Sequence, residues 1–330
     1  MKNLKLMIQA IAGLLLALLV IWGVGAVVLV SPTLYEYHSK IGIALRASDS
    51  YKQQRGEGWV HSSYGKMGFE KSELSKLDSS KPKCLILGDS YIEAVMIPGK
   101  NRMQNQIISE KYDVLGVGFS GVSAIEYAYL IKHFPKIMNN IAYYIVFIGD
   151  VSDIKNIDAS LCDGMHKGGL PVRSSSRLDK ISYSFRLYAF RALLRRWKRY
   201  KPDILGNHWR YNNKEIYHDR PSDIRSVCKA LKTLTGSHPL LIVYAPNIPR
   251  IYKNQLVFAD SESDFARQLE TACLENQIGF LNMQSIFCQN YKTNGRFVSG
   301  FFNTPPGEGH LNSLGHKLVA EAITHYLAGE

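Results

Sequence analysis

Between Lys5 and Glu36 no residue carries a charge, and Ala10–Val30 reads AIAGLLLALLVIWGVGAVVLV, apolar at almost every position. As a helix rising ~1.5 Å per residue, this run spans about the ~30 Å hydrocarbon core of a bilayer. Lys2 and Lys5 precede it, so the positive-inside rule keeps the N-terminus in the cytoplasm and sends the remainder across the membrane. The reading is an uncleaved signal-anchor over residues 1–33. A cleaved signal peptide is the alternative; the length of the run and the lack of a clear A-x-A site before Ser31-Pro32 speak against it.

Residues 34–80 are polar and weakly patterned, which predicts a juxtamembrane stalk and an outer layer. From there the pattern changes. Lys83–Leu87, Asp113–Val117, Ala142–Ile148, Leu240–Ala245 and Ile278–Asn282 are short apolar runs, the mark of buried strands. Residues 100–110, 122–134, 260–276 and 315–327 show helical spacing. Continuous apolar strands alternating with helices predict a parallel sheet covered on both faces, one α/β domain over 81–330. The alternation breaks at about 151–238, read as a basic helical insertion. Its segment SRLDKISYSFRLYAFRALLRRWKRYKPD (176–203) mixes Phe185, Tyr188, Leu193, Leu194 and Trp197 with Arg186, Arg191, Arg195, Arg196, Lys198 and Arg199. Such a helix either points a solvated basic face to water or offers a surface to anionic glycan or lipid headgroups.

Composition narrows the classes. Of 330 residues, 46% are hydrophobic and 21% charged, which excludes a disordered chain. Forty Lys and Arg against 28 Asp and Glu give +12, and setting aside Lys2 and Lys5 still leaves about +10 on the exported part, so an acidic partner is favoured. Nucleic acid is not expected outside the cytoplasm. Five cysteines exclude a disulfide-dense miniprotein; Cys162, Cys228, Cys273 and Cys288 could form up to two bridges, and Cys84 is read as a buried thiol. No C-x-x-C or Cys/His spacing suggests zinc.

Ligand sites in open parallel sheets lie beyond the carboxyl ends of the strands. Ser90 stands there, in Leu-Gly-Asp-Ser, at a strand-to-helix turn. A serine hydroxyl becomes a nucleophile only when a base takes its proton. His310, in Gly-Glu-Gly-His-Leu-Asn, is the candidate base, and Glu308 is the acid that would orient it. The backbone N–H groups of Ser90 and Gly121 are candidate oxyanion donors. Asp89 is read as shaping the turn, Tyr91 and Glu93 as packing residues within reach of a substrate, Asn312 as holding the His310 loop, and His316 as structural.

With these residues in view, the chain resembles the SGNH/GDSL-type hydrolases, in particular the membrane-anchored bacterial members. CLILGDSYIEA resembles the first block, with Ser90 as nucleophile; VLGVGFSGVSAIEY the second, with Gly121; YIVFIGDVSDIKN the third; and EGHLNSLGHKLVAEAI the last, with His310. The resemblance implies a flavodoxin-like three-layer α/β/α sandwich with a parallel sheet, here preceded by one transmembrane helix. It also implies ester hydrolysis or acyl transfer through an acyl-serine, with no cofactor. Two positions depart from the pattern. The third block's oxyanion Asn is Asp150, whose ionised carboxylate cannot donate, and the last block's Asp is Glu308. The expectation is a serine-dependent esterase or O-acyltransferase acting on acyl groups, acetyl above all, of an exported or cell-surface polysaccharide. It would sit as a single-pass protein of the bacterial inner membrane with its catalytic domain on the periplasmic side, beside an envelope polysaccharide-assembly complex. The alternative is a catalytically impaired SGNH-like pseudoenzyme that binds glycan or serves assembly.

Overall fold

The computed structural model describes residues 2–28, 30–154, 170–187, 189–190, 224–258, 263–302 and 304–329. Most of the expected insertion, including Cys162 and the basic residues from Arg191 to Arg199, lies outside them. The uncharged run forms one helix, α1 (Lys2–Val28). Its Leu4–Gly25 portion has a mean hydropathy of 2.4 and is long and apolar enough to cross a membrane, a test that a signal sequence also passes. Leu14, Leu15, Leu16 and Leu19 are at least 60% exposed, which suits lipid and not water.

The domain is built on a parallel five-stranded sheet of β5 (Lys83–Gly88), β6 (Asp113–Gly118), β7 (Ile141–Ile148), β8 (Leu240–Tyr244) and β11 (Gly279–Asn282). They lie in the order β11-β8-β7-β5-β6. This is the doubly wound flavodoxin-like order, whose topological switch falls between β5 and β7. Alternate strand residues feed two cores, as the two-residue period of a strand requires. Leu85, Leu87, Leu115, Val117, Val146 and Ile242 face one side. There they meet α5 (Ala124–His133) and helices at Ile224–Thr235 and Ser263–Glu275. Cys84, Ile86, Val114, Ile145, Leu241 and Val243 face the other, against the helices at Gln284–Asn294 and Ser313–Ala328. The result is the three-layer α/β/α sandwich expected.

Residues 34–80 do more than link α1 to the domain. They form the hairpins β1 (Tyr35–His38)–β2 (Ile43–Arg46) and β3 (Tyr51–Gly56)–β4 (Gly58–Ser63), followed by α2 (Leu74–Leu77). Ile41, Ile43, Leu45 and Phe69 enter the main core. Glu73 accepts the Gly116 N–H at 3.0 Å, and Lys76 donates to the Val114 carbonyl at 3.1 Å. The layer thereby covers the outer edge of β6, an edge that would otherwise present free pairing groups. The pattern was weak because this layer inserts apolar residues singly and meets the edge with charged ones.

The helix expected over 100–110 is reduced to a 3₁₀ turn at Gly99–Asn101 and one turn, α4 (Met103–Gln106). Side-chain amides compete with the helix: Asn105 donates to the Gly99 carbonyl at 2.9 Å and Gln106 to the Asn101 carbonyl at 2.5 Å. A hairpin of β9 (Arg250–Tyr252) and β10 (Gln255–Val257) and the helix at Gln284–Asn294 were not foreseen. Of the cysteines that could bridge, Cys228, Cys273 and Cys288 form no disulfide among the described residues. Cys84, Cys228, Cys273 and Cys288 are free thiols, with Cys228 and Cys273 both buried in the same core.

Candidate active site

Strand β5 delivers Ser90 to the switch point. Asp89 caps α3 (Ser90–Glu93) by accepting the Tyr91 N–H at 2.9 Å. Gly88 makes the turn possible, since a Cβ there would lie 2.3 Å from Ile92 Cγ1. The Ser90 hydroxyl sits 2.7 Å from His310 Nε2 and 3.2 Å from Asp89 Oδ2. Two residues 220 positions apart are thus brought within hydrogen-bond reach.

His310 arrives on a loop held from several sides. Its carbonyl accepts the Gly300 N–H at 2.9 Å. Asn312 caps the last helix, accepting from Leu314 N–H at 3.0 Å and Gly315 N–H at 3.1 Å, while its amide donates to the Phe297 carbonyl at 2.9 Å. Asn247, which sequence reasoning missed, pins the loop with its amide. With the amide oriented to suit its neighbours, its nitrogen donates to Gly307 O at 2.7 Å and Ser299 Oγ at 3.0 Å, and its oxygen accepts from Gly309 N–H at 3.2 Å. Gly307 must be glycine: it has φ +79°, and a Cβ would lie 2.7 Å from the Pro249 carbonyl. The Tyr91 ring lies 5.1 Å from the imidazole and stacks on Phe147 at 5.5 Å, walling one side. His316 is elsewhere: it is buried, its Nδ1 accepts the Met103 N–H at 3.2 Å, and burial holds it neutral with a pKa of about 3.

Burial also lowers the His310 pKa below its ordinary 6.5, and the Asp89 carboxylate pulls it partly back. A neutral imidazole at physiological pH is the form that accepts a proton. Burial pushes Asp89 up, against the hydrogen bonds it accepts from Tyr91 N–H, the Ser90 hydroxyl and Ser90 N–H. Glu308 is not brought onto the imidazole. Among the described residues its carboxylate makes no hydrogen bond or ion pair with His310, and Gly309 between them has φ +91°. The carboxylate whose charge reaches the ring is that of Asp89.

Gly121 follows β6 in an exposed turn at φ +78°. Its N–H meets no backbone acceptor among the described residues. The Phe119 N–H bonds the Gly88 carbonyl at 3.2 Å, so this loop runs beside the nucleophile turn. The Ser90 N–H lies against the Asp89 carboxylate, which leaves the Gly121 N–H as the freer donor.

Asp150 sits at the end of β7, exposed, where it caps the turn Val151–Asp153 and accepts the Ser152 N–H at 2.6 Å. It stands as an acceptor and offers the site no donor. Beneath it lies Asp153, another residue that sequence reasoning passed over. It is 7% exposed and accepts the Gly149 N–H at 2.6 Å and the Asp150 N–H at 3.3 Å. Burial, and then the charge of Asp89, raise its pKa to about 7. The Asp-x-x-Asp spacing of a reciprocal helix cap was the available signal. No group of His, Cys, Asp or Glu among the described residues could hold a metal ion.

No family model and no curated protein matches the chain. Solved structures similar to it include a lipolytic G-D-S-L family member from Veillonella parvula (12% identity, TM-score 0.38, covering 74% of this chain and 98% of that one). Phospholipase A1 from Streptomyces albidoflavus is another (13%, TM-score 0.39, 76% and 99%). An acetyl xylan esterase is a third (13%, TM-score 0.37, 74% and 99%). Likeness this distant assigns no activity, and function is read from the site's own residues.

Proposed function

We propose that the protein is a serine-dependent ester hydrolase or O-acyltransferase, and the observation that carries this is the 2.7 Å contact between Ser90 Oγ and His310 Nε2. His310 Nε2 takes the Ser90 proton as Oγ attacks the ester carbonyl. The C–O bond to the alcohol breaks, the alcohol leaves with the proton from Nε2, and an acyl-serine remains. Water or a sugar hydroxyl then gives its proton to His310 and attacks the acyl carbon; the bond from that carbon to Ser90 Oγ breaks, and His310 returns the proton to Oγ. The first outcome is hydrolysis, the second transfer. Charge on the carbonyl oxygen is met by the Gly121 N–H, with the Ser90 N–H as second donor, and Asp89 favours the imidazolium that forms.

The substrate in this reading is an acylated, anionic, exported polysaccharide, with acetyl as the acyl group. The +12 net charge and the basic segment that begins at Arg177 support it. Lys2 and Lys5 before an apolar span support a single-pass inner-membrane protein with Ser90 on the periplasmic side, next to a polymer under assembly.

The acceptor role of Asp150 and the lack of a hydrogen bond or ion pair between Glu308 and His310 among the described residues favour a second reading, an impaired site kept for glycan binding. One experiment separates the two. The full-length protein in detergent is treated with a fluorophosphonate probe and assayed on p-nitrophenyl acetate beside Ser90→Ala and Asp150→Asn. Ser90-dependent labelling and turnover support the enzyme. Wild type equal to Ser90→Ala, with Ser90-dependent activity gained only in Asp150→Asn, supports the impaired site.

A further inference from the structure

Glu93 closes the one-turn helix that Ser90 opens, and it uses both carboxylate oxygens on other parts of the fold. Oε1 pairs with Nη2 of Arg46 at the end of β2. Oε2 accepts from the hydroxyl of Ser120, the residue before Gly121. The pair is buried, with side-chain exposures of 5% for Arg46 and 9% for Glu93, while Ser120 is exposed. The Arg46 guanidinium lies 4.4 Å over the Tyr64 ring, so it too is fixed. The backbones are flush as well: a Cβ on Gly118 would lie 2.1 Å from the Glu93 nitrogen. One carboxylate therefore ties the nucleophile helix, the loop carrying Gly121 and the N-terminal layer together.

We propose that Glu93 is a positioning residue that sets the Gly121 N–H relative to Ser90, and that Arg46 holds Glu93 in place for it. The proposal rests on the reading of Ser90 as nucleophile. A buried carboxylate with a counter-ion and a hydrogen-bond donor has one low-energy orientation, whereas an exposed turn with a free N–H has many. A donor aimed at an oxyanion acts only when already in place, since its advantage is that nothing reorganises during reaction. The N-terminal layer would then be part of the catalytic unit and not a spacer between membrane and enzyme.

The test uses full-length protein in detergent and two variants. Ser120→Ala removes an exposed hydroxyl and leaves the buried pair intact. The double variant Arg46→Met/Glu93→Leu replaces the whole pair with apolar groups, a change that often preserves stability. In both we expect the melting temperature to stay near wild type and hydrogen exchange of the bonded amides of Phe119 and Val122, which flank Gly121, to rise about 10-fold. We also expect kcat on p-nitrophenyl acetate to fall about 10-fold with KM within about twofold, because the lost contact acts only in the transition state. Unchanged exchange in both variants overturns the proposal, as does a loosened loop with unchanged kcat. If wild type itself shows no Ser90-dependent turnover, the nucleophile reading fails separately. Exchange still decides the clamp in that case, a loosened loop supporting it and an unchanged one refuting it.

Discussion

Asp153→Asn removes a charge while keeping the geometry. An Asn oxygen still accepts from Gly149 N–H and Asp150 N–H, now at 2.6 and 3.3 Å. Asp153 has its pKa raised from 3.8 to about 7 by burial and by Asp89. The folded protein thus holds a proton between about pH 4 and pH 7 that the unfolded chain has released, so stability falls as pH rises through that window. A shift of that size, at ~1.4 kcal/mol per unit, is about 4 kcal/mol. The Asn variant escapes this fall. Relative to wild type it should gain up to about 4 kcal/mol on going from pH 4 to pH 8. Glu73, also raised to about 7 by burial, titrates in the same window, so the variant keeps part of the slope. The check is guanidinium unfolding of the detergent-solubilised chain at several pH values, followed by tryptophan fluorescence. A stability difference that stays constant from pH 4 to pH 8, or that turns against the variant at pH 8, refutes the reasoning.

His310 is held below 6.5, so kcat/KM should be flat near neutrality and fall as pH drops below that value, where the protonated ring is no longer a base. Asp89→Asn removes the charge that raises the ring's pKa and should move this acid limb to lower pH, whereas Glu308→Gln should leave it in place; a limb shifted by Glu308→Gln would return the orienting role to Glu308. Ser90→Ala and His310→Ala should each cost about 10⁴-fold or more in kcat, and nearly the same when combined, because the two act as one unit. Asn247→Ala deletes the three hydrogen bonds that tie down the His310 loop and should cost about 1–3 kcal/mol of stability together with a lower kcat, read by melting and by steady-state rates.

The N-terminal apolar helix, the five strands and the positions of Ser90, Gly121 and His310 at loop ends were legible in the sequence. Each is written in a local pattern: a long uncharged run, short apolar runs, glycines at turns. Asp89 was legible only as a turn residue, since its field on His310 arises when the chain brings residue 310 back over the β5 turn. Glu308 looked suitable by its two-residue spacing, yet no hydrogen bond or ion pair joins it to His310; Gly309 between them has a positive φ, and spacing carries no information on backbone angles.

The N-terminal layer shows the same division. Arg46 lies in a stretch without strong periodicity, and Glu93 in a helix too short to show one. Local pattern determines which segments are strands or helices, because that choice depends on neighbours three or four residues away. Which carboxylate meets which cation, whether Asp150 donates or accepts, and where Asp153 is buried depend on residues far apart in the chain. Their partners and solvent exposure exist only once the sheet is assembled, so only the tertiary structure decided them.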